Sequence, residues 1–256
     1  MKFSRTKKPE ALVRAIWRKL APAWGPQHWW PAETAFEVIV GAILVQNTSW
    51  SNVERALGSL RSVGILNLAG IREAPLARLQ ELVRSSGYYR QKAERLKNFV
   101  TFLDAKYCGS LEQMFSTTTS QLRTELLSLK GIGAETADAI LLYAGNREIF
   151  VVDAYAQRIL LRHEAINSLA KYDEIRSLVE RALNNQQPLE RWLDVVTNPR
   201  RPPVHAASAM SQAKRSPRAQ IYNEMHGLLV QVGKHYCYKE KPDCEACPLR
   251  GLLPRN

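Results

Sequence analysis

Apolar residues recur at helical spacing along most of the chain, and this pattern constrains the fold more than any single motif does. Leu12, Ile16 and Leu20 would share one face of an opening helix. The segment AFEVIVGAILVQ is apolar nearly all round, as expected of a helix buried inside a bundle. Further helical patterns lie at residues 90–107, 120–128, 134–145, 153–163, 171–184 and 219–232. Because the alternation of a half-buried strand appears nowhere at length, the sequence predicts an all-α fold.

The charge balance indicates a polyanionic partner. The 256 residues include 36 lysines and arginines against 24 acidic residues, a net charge of +12, and such a field attracts nucleic acid. A basic surface that serves only solubility is the alternative. No apolar run reaches the roughly 18 to 20 residues of a membrane span, and the first residues lack a secretory signal. We therefore expect an intracellular protein, cytoplasmic and nucleoid-associated, or nuclear in a eukaryote.

One segment departs from the helical pattern, NPRRPPVHAASAMSQAKRSPR at residues 198–218. It is rich in proline and basic residues and contains no acidic residue. A segment of this composition buries too little apolar area to order itself. The sequence therefore predicts a basic, flexible loop inserted between two helices.

The segment LKGIGAET, residues 129–136, is typical of a tight turn between two helices. Gly131 and Gly133 allow positive φ angles and the close approach of a ligand backbone, and Lys130 adds a positive charge beside them. Backbone N–H groups at the start of the second helix would point outward, where they can bind an anion such as a phosphate. An ordinary corner between two helices is the alternative.

A single carboxylate, Asp153, follows four apolar residues in the segment IFVVDAYAQRILL. It would stand at the start of another helix, where the helix dipole favours its ionised form while burial opposes it. A carboxylate in this position can act as a general base or stabilise a developing cation. It can also serve only as the N-cap of the helix, because aspartate is a preferred capping residue.

Together these segments resemble a known family. LKGIGAETADAILLYA followed by FVVDAYAQRILLR is similar to the helix-hairpin-helix motif and catalytic aspartate of the endonuclease III superfamily of DNA base-excision glycosylases. FEVIVGAILVQNTSWSNVERAL and SGYYRQKAERLKNF resemble the early buried helix and the second minor-groove loop of that family. The motifs occur in the family's order and cover most of the chain.

The resemblance implies which residues contact DNA. Gln46 and Tyr88 would fill the space left when the damaged base is flipped out of the helix. Lys130, Gly131 and Gly133 would hold a phosphate of the distorted strand without reading its sequence. The partner implied is double-stranded DNA that contains a damaged base.

The resemblance also implies a division of the chain into two helical domains. A six-helix domain that contains the hairpin, residues 33–145, would be inserted into a second domain formed by residues 1–32 and 146–256. Duplex DNA would lie in the groove between them, and the protein would act as a monomer.

A departure from the family's pattern bears on the reaction. Family members that also cleave the strand carry a lysine two residues after the second hairpin glycine, and its amine forms a Schiff base with the sugar. Here that residue is Glu135, which cannot form an imine. The resemblance therefore implies a monofunctional glycosylase in which Asp153 stabilises the developing charge on the sugar and activates water.

The hairpin sequence particularly resembles the endonuclease III-type 3-methyladenine glycosylases, which bind an alkylated purine between aromatic rings. The matching residues are Trp29, Trp30 and Trp50. An alkylated purine is positively charged, so electron-rich rings can select it by cation–π attraction and stacking. Packing in a core is the alternative for these tryptophans. Two other functions stay open: an endonuclease III-like glycosylase and AP lyase for oxidised pyrimidines, and a non-catalytic helix-hairpin-helix DNA-binding module.

The cysteines near the end of the chain match a family feature in part. CYKEKPDCEACPL resembles the start of the family's iron–sulfur loop, C-x6-C-x2-C-x5-C, and its first three positions are Cys237, Cys244 and Cys247. The fourth position is Leu253, although a [4Fe-4S] cluster normally takes four thiolates. The cluster is lost, is bound with another ligand, or is replaced by a metal such as zinc with an outside ligand such as His235. None of these cofactors is required for the proposed chemistry.

Overall fold

A computed structural model of the chain describes residues 8–184 and 205–254. No β-strand occurs within these ranges, and the predicted all-α class is confirmed. The helices are α1 (Pro9–Trp24), α2 (Ala35–Leu44), α3 (Trp50–Ser62), α4 (Leu68–Glu73), α5 (Leu76–Leu82), α6 (Tyr89–Tyr107), α7 (Leu111–Ser116), α8 (Thr119–Ser128), α9 (Ala134–Ala139), α10 (Ala154–Arg162), α11 (Tyr172–Asn184) and α12 (Pro217–His235). Short 3-10 turns lie at Arg84–Ser86 and Arg250–Leu252, and α9 continues as π-helical turns over Ile140–Ala144. None of the helices in the described ranges is long and apolar enough to cross a membrane.

The chain forms two compact units. The first, which we call the hairpin unit, is Ala32–Arg147. The second, which we call the aspartate unit, combines Met1–Pro31 with Glu148–Asn256. The hairpin unit contains α2 to α9, and the aspartate unit contains α1 and α10 to α12.

The hairpin unit is built around α2, whose residues from Phe36 to Leu44 are all buried. The hydroxyl of Thr34 starts this helix by accepting the Glu37 N–H at 3.1 Å. The buried Glu37 carboxylate is paired with Arg61 of α3. Because a helix that is apolar on every side is stable only inside a bundle, α2 packs against α3, α6 and the π-helical turns.

A buried ion pair joins the two helices on either side of the glycine turn. Arg123 of α8 donates from Nε to Asp138 Oδ1 at 2.7 Å and from Nη2 to Oδ2 at 3.2 Å. Asp138 of α9 is fully buried, and only 16% of the Arg123 side chain is exposed. Two parallel charged hydrogen bonds restrict the orientation of both groups, so the pair holds α8 and α9 at the spacing that the turn requires.

The central helix of the aspartate unit is α12, which packs against α1, α10 and α11. Every residue from Ile221 to Gly233 is buried. Polar residues within this stretch therefore need partners inside the protein. The carboxylate of Glu224 accepts a hydrogen bond from the Gln27 N–H at 2.6 Å and another from Gln220 Nε2 at 2.9 Å. Burial raises the pKa of Glu224 to about 7 despite these contacts.

The loop predicted at residues 198–218 is wrong at its C-terminal end. Residues 198–204 lie outside the described ranges. At the other end, Pro217 occupies the first turn of α12, and the Ser216 hydroxyl accepts the Ala219 N–H at 3.2 Å. Serine at the N-cap followed by proline is a strong helix start. The helix therefore begins two residues before the predicted start, inside the segment that composition assigned to a loop.

The Arg123–Asp138 pair is predicted to stabilise the hairpin unit. Arg123→Met should lower the free energy of unfolding by about 3 to 5 kcal/mol, because it leaves the buried Asp138 carboxylate without its guanidinium partner. The double variant Arg123→Met, Asp138→Leu should recover most of that loss, since apolar side chains replace both charges. Urea unfolding of the three proteins measures both effects. Equal stability of the Arg123→Met variant and the wild type would contradict the role given to the pair.

Glu224 is predicted to make stability depend on pH. Its pKa in the folded protein, about 7, is above the ordinary value of 4.5, so the folded state holds the proton more tightly. The resulting stabilisation is complete below the ordinary pKa and is lost as the pH rises through 7. Relative to the wild type, Glu224→Gln should therefore gain about 2 to 3 kcal/mol between pH 5 and pH 8. Urea unfolding at both pH values checks this, and an unchanged difference between the two proteins would contradict it.

Candidate functional site

The glycine turn presents an exposed backbone at the start of α9. Lys130, Gly131 and Gly133 are exposed, whereas Ile132 is buried and anchors the turn. Gly131 has a φ angle of +88°, in the left-handed region that favours glycine. A Cβ atom at Gly131 would also meet the side chain of Arg95. At Gly133, the N-cap of α9, an added Cβ would have no neighbour within 4 Å. The space in front of Gly133 is thus open to a ligand.

Gln46 is bound to this turn within the hairpin unit. Its Nε2 donates to the carbonyl of Gly131 at 3.1 Å and to the hydroxyl of Thr136 at 2.9 Å. Its Oε1 accepts a hydrogen bond from Arg95. The glutamine expected to enter the DNA thus starts from a docked position, and it would exchange these contacts for contacts with DNA. That it fills the space left by a flipped base stays a prediction.

Tyr88 lies on an exposed loop of the same unit. The residue is 67% exposed, and its φ angle of +45° places it in the left-handed region. Behind this loop, the buried ammonium group of Lys92 donates to the carbonyls of Leu44 at 2.8 Å and Ser86 at 2.6 Å. Lys92 thus ties the end of α2, just before Gln46, to the turn just before Tyr88. Nothing in its sequence context marked Lys92 for this role, because the Leu44 carbonyl lies 48 positions away in the sequence.

Asp153 is the N-cap of α10, and its carboxylate also faces a residue of α12. Its Oδ1 accepts the Ala156 N–H at 2.7 Å, and its Oδ2 lies 3.6 Å from Nε2 of His226 on α12. The side chain is 14% exposed. The capping and functional interpretations are therefore compatible, since one oxygen caps the helix while the other faces a second ionisable group.

His226 is a candidate site residue that the sequence analysis did not find. It is 5% exposed, and its ring lies edge-on to Trp29 at 6.2 Å and to Phe150 at 6.4 Å between centroids. Burial lowers the pKa of His226, and the charge of Asp153 opposes that shift. The only available signal was one histidine on an otherwise apolar face of a predicted helix, which is more often a packing residue.

The predicted base-pocket residues fall in both units. In the aspartate unit, Trp29 and Trp30 are 6% and 5% exposed, and their rings meet edge-on at 72° with centroids 6.4 Å apart. The ammonium group of Lys234 lies 5.5 Å from the centre of the Trp29 ring, and Ser208 donates to the Trp30 carbonyl at 3.3 Å. In the hairpin unit, Trp50 is half-buried at the start of α3.

Glu135 lies in the first turn of α9, two residues beyond Gly133, and is exposed. An acidic side chain is favourable there, because it complements the positive end of the helix dipole. That physical reason accounts for a carboxylate at this position without any catalytic role.

The three cysteines of the C-terminal loop line one small cavity of about 20 Å³, and Leu253 lines it too. Arg162 Nη1 donates to the sulfur of Cys237 at 3.0 Å. Within the described residues, no three histidine, cysteine or acidic side chains are arranged to hold a metal ion. A four-iron cluster takes four thiolates, so three thiols, an arginine on one of them and a leucine in the fourth position do not fit it.

Residues 40–185 match the family described as HhH-GPD superfamily base excision DNA repair protein. The match covers more than half of the chain. The chain therefore belongs to this superfamily of base excision DNA repair proteins, and the predicted resemblance to the endonuclease III superfamily is confirmed.

Three similar proteins illustrate the relationship. A Methanocaldococcus jannaschii protein provisionally named a DNA repair glycosylase is 41% identical over 93% of this chain and 94% of its own length. A structure of Helicobacter pylori 3-methyladenine DNA glycosylase bound to 1,N6-ethenoadenine is 30% identical, with a TM-score of 0.69 over 89% of this chain and 98% of that one. A non-covalent complex of endonuclease III with DNA, 18% identical, has a TM-score of 0.70 over 95% and 94% of the two chains. At that identity it shows the shared fold alone.

Gly133→Ala is predicted to weaken DNA binding without loss of stability. The added methyl group meets no protein atom within 4 Å, but it would stand where a phosphate approaches the backbone. We expect about tenfold weaker binding to duplex DNA, the equivalent of one hydrogen bond to a charged group. Fluorescence anisotropy measures it, and Gly58→Ala on α3, which is equally free of neighbours, is the matched control. Unchanged binding of Gly133→Ala would show that no ligand approaches there.

Proposed function

We propose that the chain is a monofunctional DNA glycosylase that hydrolyses the N-glycosidic bond of an alkylated purine flipped out of duplex DNA. Membership of the HhH-GPD superfamily indicates glycosylase activity. The observation that carries the proposed reaction is Asp153, a mostly buried carboxylate with one oxygen capping α10 and the other directed at α12.

Asp153 has the two properties that base removal requires of a protein group. When the bond between base and sugar breaks, positive charge develops on the sugar, and a nearby carboxylate stabilises it. The same carboxylate can orient a water molecule and accept its proton as the water attacks. Asp153 stands at the N-terminus of α10, where Oδ1 accepts the Ala156 N–H and the helix dipole attracts negative charge.

The absence of an amine at the lyase position supports water as the nucleophile. A Schiff base forms only from a primary amine, and Glu135 occupies the position at which the strand-cleaving relatives carry lysine. Base release without strand cleavage follows. The abasic site then remains in the DNA for a separate enzyme.

The aromatic side chains support an alkylated purine as the substrate. Alkylation gives the base a positive charge and weakens its own glycosidic bond, so stacking and cation–π attraction suffice for selection and little acid catalysis is needed. The ammonium group of Lys234 lies 5.5 Å from the centre of the Trp29 ring, so the face of this ring is accessible to a positively charged group. The similar H. pylori protein is named a 3-methyladenine glycosylase and was crystallised with 1,N6-ethenoadenine. That Trp29, Trp30 and Trp50 each contact the alkylated base is part of this proposal.

The remaining parts of the proposal concern DNA. The net charge of +12 attracts duplex DNA, and the exposed turn at Lys130, Gly131 and Gly133 would hold a phosphate while Gln46 and Tyr88 enter the helix. A single copy of the chain carries all these groups, so we propose that it acts as a monomer. No step involves the cysteine loop.

Asp153→Asn is predicted to abolish base release while DNA binding is retained. Asparagine still caps α10, so the fold is kept, but it carries no negative charge to stabilise the sugar. We expect the single-turnover rate to fall by about 100-fold or more. Chromatography of the free base released from duplexes that each carry one alkylated purine measures it. Asp173→Asn, in the first turn of α11, is the matched control.

A wild-type protein that released no base above background from any alkylated duplex would show the substrate assignment to be wrong. Release from duplexes with oxidised pyrimidines would instead favour the endonuclease III-like alternative. Tight DNA binding without release from any damaged duplex would favour the non-catalytic binding module.

Borohydride trapping on an abasic duplex is predicted to give no covalent complex with the wild type. Glu135→Lys should create one, because it supplies the amine at the lyase position. Glu135→Gln removes the same carboxylate without adding an amine, so it should give none. A covalent complex with the wild-type protein would overturn the monofunctional assignment.

A further inference from the structure

The two oxygens of Asp153 have different surroundings. Oδ1 accepts the Ala156 N–H at 2.7 Å, which fixes it to the first turn of its own helix. Oδ2 faces Nε2 of His226 at 3.6 Å. A carboxylate bound through one oxygen can still rotate, so the direction of Oδ2 depends on what faces it.

We infer that His226 is a positioning residue for Asp153, whose imidazole holds the second carboxylate oxygen in the orientation used for base removal. This inference rests on the proposed function of Asp153 and deepens it. It adds a residue that lies outside the hairpin and outside the segment around Asp153.

His226 is itself held firmly, as a positioning residue must be. Its ring has Trp29 on one side and Phe150 on another, both edge-on. The next residue, Gly227, lies so close to the preceding segment that an added Cβ would stand 2.8 Å from Cβ of Gln27 and 3.3 Å from Cβ of Trp29. This close approach presses α12 against the tryptophan segment, and the imidazole has little room to turn.

The charge state of His226 suits the role. Burial lowers its pKa below the usual value, although Asp153 opposes the shift, so the imidazole is neutral at pH 7. A neutral imidazole can donate a hydrogen bond and leave Asp153 its negative charge, whereas an imidazolium would neutralise it. Ionisable groups of the described residues on the elements around this cluster include Lys234 and His205 against Trp29, and Glu224 on α12.

The separation of 3.6 Å is longer than a hydrogen bond, by about 0.6 Å. Catalytic contacts are often long in an enzyme without substrate and shorten when the substrate binds. A small rotation of the Asp153 side chain about its capped oxygen closes this gap, since His226 is the fixed partner. A histidine that only fills space would instead be replaceable by any side chain of similar volume.

Two variants separate these roles. His226→Gln keeps an N–H donor at the position of Nε2, and His226→Leu removes it while keeping the apolar contacts. We expect the single-turnover rate of base release to fall about tenfold or more for the leucine variant and to stay within about threefold of the wild type for the glutamine variant. DNA binding should be unchanged in both. Asp173→Asn, in the first turn of α11, is again the control.

The pH dependence of the rate of base release gives a second measurement. The wild-type rate should fall at acid pH as the imidazole gains a proton and pairs with Asp153, and the glutamine variant should keep its rate to lower pH. Equal losses in the glutamine and leucine variants, or a wild-type rate in the leucine variant, would overturn the inference.

A readout without activity separates this inference from the proposed function. NMR titration of the His226 imidazole should show a lower pKa in Asp153→Asn than in the wild type, because the neighbouring negative charge that opposes the effect of burial is lost. The same pKa in both proteins would overturn the coupling of the two residues. A wild-type protein without glycosylase activity but with this shift would contradict the proposed function and leave the contact established.

Discussion

A carboxylate that is taken out of water stays charged only where N–H groups or cations replace its hydration. At Asp153 the replacement is the first turn of α10, whose Ala156 N–H bonds Oδ1 at 2.7 Å. Packing inside the aspartate unit holds this turn in place. The apolar residues that precede Asp153, from Ile149 to Val152, are all buried, and they fix the point at which the helix starts. The chemistry proposed for the chain thus depends on an ordinary helix cap in an apolar setting.

Polar partners inside the protein also explain why α12 carries polar residues although it is buried on all sides. Glu224 is held by the Gln27 N–H and by Gln220, and His226 is directed toward Asp153. Buried polar groups restrict how a helix can rotate, because their partners are at fixed places. The rotation of α12 that satisfies Glu224 also brings His226 to Asp153. A purely apolar helix would bury similar area without fixing this alignment.

The parts of the structure that were predictable from the sequence are those governed by local chemistry. The hairpin, the start of α10 at Asp153 and the all-α class depend on residues within a few positions of one another. The start of α12 was missed because proline and basic composition were given more weight than the cap formed by Ser216 and Pro217. Longer contacts were not predictable. Gln46 bonds a carbonyl 85 positions away, and periodicity carries no information on such a pair.

The far end of α10 connects the candidate active residue to the cysteine loop. Arg158 donates to the Cys237 carbonyl at 2.7 Å, and Arg162 donates to the Lys239 carbonyl at 2.7 Å and to the Cys237 sulfur at 3.0 Å. Charged hydrogen bonds of this kind are strong and directional. Because these contacts come from the protein itself, they hold the loop to α10 without a fourth thiolate at Leu253. A loop that is attached in this way supports the helix that begins at Asp153, and Cys237 takes part in the attachment through both its sulfur and its carbonyl.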